Sequence, residues 1–322
     1  MRRITRIVAA IISLSVTHVA FAQTYPAKPI RIVVPNGPGG PTDIVARVLA
    51  QKLSESMGQP VIVENRLGAG GVVGTEGVAR SPADGYTLLF SASGAMVITP
   101  HLNSKLPYEA FRDFAPVSLG ATSPLILFTG ANSPVRTVSE LIALAKAQPG
   151  KLNYGTAGIG TPPHLAVELL KSAAGIDVVH VPYKGAPQSE IAVMTGEISF
   201  MFSQPSIANQ ARAGKARLLG TTSAKRTALA PEVPTLAEAG VPGFEVIAWY
   251  GLLAPAKTPE DIVAKLNGEM QKALAQKDVS DRLQSLGFEP PAPHSAADFT
   301  AFMRRESDKW QKVIKDAGIK GE

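Results

Sequence analysis

The sequence predicts an α/β chain of two lobes, each an open, mostly parallel sheet flanked by helices. Three observations carry this. Short β-branched runs alternate with amphipathic stretches, the pattern of parallel sheets with helical crossovers. The length of 322 residues is about two domains, at roughly 150 residues each. One plan also occurs twice, in VVPNGPGGPTDIVARVLA (33–50) and LNYGTAGIGTPPHLAVELL (152–170): strand, glycine-rich loop, proline, helix.

The run 30–35 reads as a buried parallel strand. The helix behind it places Ile44, Val45, Val48, Leu49, Leu53 and Met57 on one face, and Gly58 ends it. Strands are predicted at 61–65 and 86–90. A second series starts near residue 117, with strands at 125–129, 178–183, 198–202 and 216–223. Between them lie a helix at 139–150, the strand, loop and helix of 151–175, and helices behind 183 and over 203–214. The tail is mostly helical. Thr258–Asp261 and Ser295–Asp298 have the capping-box form of a helix start.

The N-terminus has a basic MRRITR, an apolar stretch and an AFA site at 20–22, and so reads as a signal peptide over 1–22. Ser13, Ser15, Thr17 and His18 dilute the stretch too much for a membrane anchor. Cleavage takes away Arg2, Arg3 and Arg6 and lowers the formal net charge from +6 to +3. The remaining Lys and Arg are scattered among acids, so nucleic acid is not an expected partner. The chain has no cysteine, which excludes disulfides, thiol nucleophiles and cysteine metal sites. A soluble periplasmic monomer is expected.

Enzyme templates fail in turn. GPGGPTD lacks the lysine of a phosphate-binding loop. GAGGVVG (68–74) has Val73 where a dinucleotide fingerprint needs its third glycine. SASGA has Ser93 without the glycine of a nucleophile elbow. His101, His164, His180 and His294 show no metal spacing and read as core or solvated residues, with His164 the one beside a glycine loop. A hydrolase pairing Ser93 with His164 or His180 lacks an orienting group. No catalytic residue, metal or cofactor is expected.

The two matched loops suggest a different chemistry. Each glycine loop runs into a helix whose first N–H groups have no partner and carry about half a positive charge. Proline suits the first helical position because its missing N–H costs nothing there. Such a terminus holds a carboxylate or phosphate without a charged side chain. Ligands lie outside the carboxyl ends of strands in open α/β sheets, so two lobes facing each other make a clamp.

A series of segments makes the family recognisable. They are YPAKPIRIVVP, PGGPTD, VIVENRLGAGG, SPADGYTLLF, LPYEAFRDFAPVSL, PGKLNYGTAGIGT, HVPYKG, AGKARLLGTTSAKR, VPTLAEAGVPGFE and WYGLLAPAKTP. They run in order from Tyr25 nearly to the C-terminus. The chain resembles the Bug-type periplasmic receptors, substrate-binding proteins of tripartite tricarboxylate transporters. The resemblance implies a two-lobed flytrap. Its domain 1 joins 23–122 to 247–322, domain 2 is 123–246, and strands near 120 and 247 cross between them. It implies a small organic carboxylate held in the cleft, and membrane transporter subunits, or else a membrane sensor, as partners. Carried over by motif, the first-lobe contacts are Asn36, Gly37, Pro38, Gly39, Gly40, Thr42, Asp43, Ser91, Ala92 and Ser93. The second-lobe contacts are Thr156, Ala157, Gly158, Thr161, Tyr183, Phe202 and Ser203. Two residues depart from the family pattern: Asn36 replaces a common aromatic, and Ser203 replaces a common Asp. Together they favour a non-amino organic acid, with a hydroxyl or second carboxylate, over an amino acid. Asp43 is expected to accept a hydrogen bond from a ligand hydroxyl or a bridging water.

Overall fold

A computed structural model describes residues 25–183, 185–316 and 318–319. The signal peptide expected at 1–22 lies outside them. Two α/β lobes are built around separate sheets. In the first, the order is β2 (Val61–Asn65), β1 (Ile30–Val34), β3 (Thr87–Ala92), β10 (Ile247–Pro255), β4 (Phe114–Pro124). The first three strands are parallel, with Ile30 opposite Val61 and Val33 opposite Leu89. β10 is antiparallel to both β3 and β4.

The second lobe holds β8 (Met201–Ser203), β5 (Ile126–Gly130) and β9 (Ala216–Thr221), all antiparallel. β6 (Asn153–Thr156) and β7 (Val179–Pro182) pair in parallel, and a parallel bridge from Tyr154 to Phe200 joins them to the rest. The parallel pattern thus holds in β2-β1-β3 and β7-β6-β8. The antiparallel strands are those at the crossing. A chain that leaves one sheet and returns must run its two passages, β4 and β10, in opposite directions.

Helix α1 (Pro41–Met57) buries Val45, Leu49 and Leu53 against β1 and β3, and Gly58 closes it in the left-handed region. Full burial of such side chains contributes about 1.5–3 kcal/mol each. α2 (Val72–Ala79) follows. α3 (Val138–Ala147), α4 (Pro162–Ala174) and α5 (Ala186–Thr195) cover the second lobe. α6 (Glu260–Leu274), α7 (Lys277–Ser285) and α8 (Ala296–Asp316) return to the first. One apolar cluster runs through both lobes, from Val33 and Leu89 through Trp249 and Trp310 to Leu165 and Phe200.

The two capping boxes part ways. Ser295 and Asp298 cap reciprocally: Ser295 N–H donates to Asp298 Oδ2 at 2.9 Å, and Asp298 N–H donates to Ser295 Oγ at 3.1 Å. Thr258 caps nothing. Pro259 takes the N-cap position of α6, and the Thr258 hydroxyl is buried without a partner. The acids of that first turn, Glu260 and Asp261, still favour the positive helix end.

Candidate functional site between the lobes

The loop after β1 is held from behind. The close packing of α2 under Pro35 needs glycine: a Cβ on Gly74 would lie 2.4 Å from Arg66 O and 3.1 Å from Pro35 Cβ. GAGGVVG therefore backs the first loop.

Asp43 organises that loop. Its Oδ2 accepts from Gly39 N–H at 2.9 Å, its Oδ1 from Asn65 Nδ2 at 2.9 Å, and Arg47 Nε reaches both oxygens at 3.0 Å. Asn65 Nδ2 also donates to Asn36 O at 2.9 Å. Burial pushes the Asp43 carboxyl up, but Arg47, Gly39 and Asn65 outweigh it and hold the group below the usual carboxylate range. With the side chain 3% exposed, its acceptor capacity is spent inside the loop. In this arrangement Asp43 positions the loop. Asn36, Gly37, Pro38 and Gly39 are exposed, Gly40 is half-buried and Thr42 is buried. α1 starts from Gly40 with no side-chain cap, so the first-turn amides stay unsatisfied by any side chain.

Ser91, Ala92 and Ser93 close β3 level with that loop, because Val33 pairs with Leu89. The Ser91 and Ser93 hydroxyls are buried and have no hydrogen-bond partner. Ala92 is half-buried and lies opposite Tyr250.

In the second lobe, Thr156 ends β6. Its Oγ1 accepts from Gly158 N–H at 3.0 Å and bonds His180 Nε2 at 2.7 Å. Thr161 Oγ1 donates to Gly158 O at 2.8 Å, so Thr161 stands at the N-cap of α4 without capping it. Ala157 and Gly158 are half-buried. Gly160 N–H donates to His164 Nδ1 at 3.4 Å. Burial first, and neighbouring His180 second, pull His164 down to about 4; burial lowers His180 as well. Both rings therefore stay neutral behind the loop. Neither bonds Ser93, so no nucleophile and base pair is assembled.

The lobes meet at these loops. A Cβ on Gly94 would lie 3.5 Å from Gly160 O, and one on Gly160 would lie 3.3 Å from Leu102 Cδ1. Gln204, which the sequence reading left out of the site, ties the floor together. Its Oε1 accepts from Ser123 Oγ at 2.7 Å, and its Nε2 donates to Tyr250 OH at 3.4 Å. No periodic pattern marks such a residue.

The remaining candidates divide. Tyr183 N–H joins Thr156 O at 2.9 Å, and its hydroxyl donates to Glu197 Oε1 at 3.0 Å. Phe202 is fully buried and stacks on Phe244 with centroids 6.1 Å apart. Alternation along a strand sends Ser203 to the opposite face, where its Oγ donates to Glu190 Oε1. A cavity of about 490 Å³ elsewhere, between Ser223–Arg226 and Phe302–Lys309, is lined by none of the candidate residues. Of its four cations, Lys225, Arg226, Arg305 and Lys309, Arg226 and Lys309 are paired with Glu238 and Glu306. Among the described residues no acid and histidine group could hold a metal, and no helix is long and apolar enough to cross a membrane.

The family model for the tripartite tricarboxylate transporter family receptor matches residues 45–319. The chain belongs to this family. It is 40% identical over 319 residues to the UPF0065 protein of the tcbD-tcbE intergenic region of Pseudomonas sp. strain P51, covering 97% of this chain and 93% of that one. Protein BugT of Bordetella pertussis is 37% identical over 302 residues, 93% of this chain and 92% of its own. Among solved structures, R. palustris Rpa4515 with adipate superposes with a TM-score of 0.85 at 34% identity, covering 92% of this chain and 100% of that one. MatC from Rhodopseudomonas palustris with bound malate gives 0.80 at 35%, covering 90% and 100%. The protein is thus a Bug-type solute-binding receptor of a non-enzymatic family, and its relatives place that family in the periplasm.

Proposed function

We propose that this receptor captures a small organic carboxylate between its lobes and hands it to the membrane subunits of a tripartite transporter. One observation carries the reading. Each lobe offers a long helix, α1 or α4, that starts at a glycine loop with proline in its first turn and no side-chain cap, and the buried Ser91 and Ser93 hydroxyls lie at the same cleft. Bare amides and two hydroxyls suit an anion. The adipate and malate bound by two relatives are of that class. Export through a signal peptide at 1–22 fits a periplasmic receptor.

The lobes, 23–122 with 247–322 and 123–246, close about β4 and β10. A ligand touching both loops binds the closed arrangement better and shifts the population toward it. Asp43 shapes the first loop rather than contacting cargo. Native mass spectrometry of protein purified without added ligand, followed by a thermal-shift panel of small carboxylates, tests the reading. A ligand at 100 times its Kd stabilises by about 2.7 kcal/mol. Stabilisation by amines or sugars, with none by any carboxylate, overturns it.

A further inference from the structure

The sequence reading took Ser203 as the loss of an acid from the cleft. The structure restores the acid from another element. Ser203 ends β8, and the parallel bridge from Tyr154 to Phe200 puts that end level with Thr156, where the second glycine loop begins. The next residue, Gln204, reaches Tyr250 OH, and Tyr250 lies opposite Ala92. The carboxyl end of β8, where Ser203 stands, therefore faces the first lobe. Glu190, in the second turn of α5, brings its carboxylate onto the Ser203 hydroxyl.

This acid is firmly placed. α5 is seated on the sheet through Ser189, whose Oγ donates to Met201 Sδ at 3.3 Å and lies 2.3 Å from where a Cβ on Gly155 would be. Glu190 is half-buried, and burial pushes its carboxyl up despite the Ser203 bond. An ionised carboxylate only accepts hydrogen bonds, and a second carboxylate close to it is repelled.

We infer that Glu190 is a specificity-determining residue: it selects ligands whose end remote from the captured carboxylate carries a hydrogen-bond donor, a hydroxyl or an ammonium, and it disfavours dicarboxylates. The inference rests on the carboxylate reading above, and it revises the sequence expectation that Ser203 opens the cleft to a second carboxylate. Ser203 holds the acid in place, while Glu190 supplies the discrimination.

Calorimetric titration of the intact mature protein with two matched sets tests this: 4-hydroxybutyrate, 4-aminobutyrate and succinate, then 6-hydroxyhexanoate, 6-aminohexanoate and adipate. Within a chain length that binds, the wild type favours the hydroxy or amino acid over the dicarboxylate by about tenfold or more in Kd, a step of about 1.4 kcal/mol. The two donor acids tell hydroxyl from ammonium. Glu190→Gln removes the charge at constant shape and brings the dicarboxylate within about threefold. Ser203→Ala keeps the acid but releases it, so the wild-type preference narrows less than in Glu190→Gln. A wild type that prefers the dicarboxylate overturns the inference whatever the variants do, and so does an unchanged ratio in Glu190→Gln. Binding of none of the six acids overturns the carboxylate reading itself.

Discussion

Acidification should loosen the second glycine loop from behind. His164 is 5% exposed, and its folded value of about 4 lies below the ordinary 6.5. The unfolded chain therefore takes up this proton first. Stability is full above about pH 6.5, is lost as the pH falls from there toward 4, and is level below. Between about pH 7.5 and pH 5 the loss from this one group is on the order of 2 kcal/mol, from the two values and the linkage relation. His180 is lowered too and adds in the same direction. Glu168 opposes the shift in His164 and Lys171 supports it. Urea unfolding at the two pH values measures the effect. His164→Phe keeps an aromatic ring between Tyr154 and His180, whose centroids lie 6.4 and 4.6 Å away, but it cannot titrate. Its loss of stability on acidification should be smaller by that same 2 kcal/mol or so. Because a protonated Nδ1 no longer accepts the Gly160 N–H, ligand affinity of the folded wild type should hold down to about pH 5 and fall only as the pH nears the folded value of about 4. An equal acid destabilisation in wild type and His164→Phe would refute the reasoning.

Asp43→Asn removes a buried charge from Arg47, Gly39 and Asn65 and should cost roughly 1–3 kcal/mol, read as a lower urea midpoint; affinity falls with the loop's order. Gly160→Ala forces a residue with φ 76° into the left-handed region, at about 1–2 kcal/mol. Its Cβ also presses on Leu102 across the lobes, so small-angle scattering should show a smaller compaction on ligand addition. Ser91→Ala with Ser93→Ala deletes two hydroxyls that no protein group satisfies. Stability without ligand should hold or rise slightly, while calorimetry shows ligand affinity falling about tenfold or more, each lost bond contributing roughly 0.5–1.5 kcal/mol.

What the sequence disclosed follows from where the information is local. VIVEN forms β2 over the residues expected, and Gly58 ends α1 as its left-handed geometry requires. The crossing strands β4 and β10 came only from the family resemblance. FAPVSLGATSP has two prolines and a glycine, is buried or half-buried throughout, and its pairing with β10 shifts register twice, so it shows no alternation to read. α7 falls in the tail expected to be mostly helical, but with only Val279 and Leu283 buried in a polar segment it shows no periodic face of its own. At the site, the spacing from Asp43 to Arg47 is a legible i,i+4 pair, and it could have revealed that the acid looks inward. Asn65, Gln204 and Glu190 reach their partners from other elements, and no pattern along the chain encodes such meetings.

The two lobes solve one electrostatic problem in different ways. A receptor for an anion needs attraction, yet it must also let go. The first lobe neutralises its only loop acid internally, against Arg47, so what faces the cleft is dipolar: amides and hydroxyls. The second lobe does the same with neutral rings, since burial keeps His164 and His180 uncharged. Neither loop spends a full positive charge on the cargo. Hydrogen bonds from dipoles depend on direction and distance, so they weaken sharply once the lobes part, whereas the pull of a lysine decays slowly with separation. On the proposed reading, capture would then be strong only in the closed arrangement, and opening by itself would release the ligand. Against that neutral background the charge inferred to act from Glu190 would weigh heavily in ligand choice.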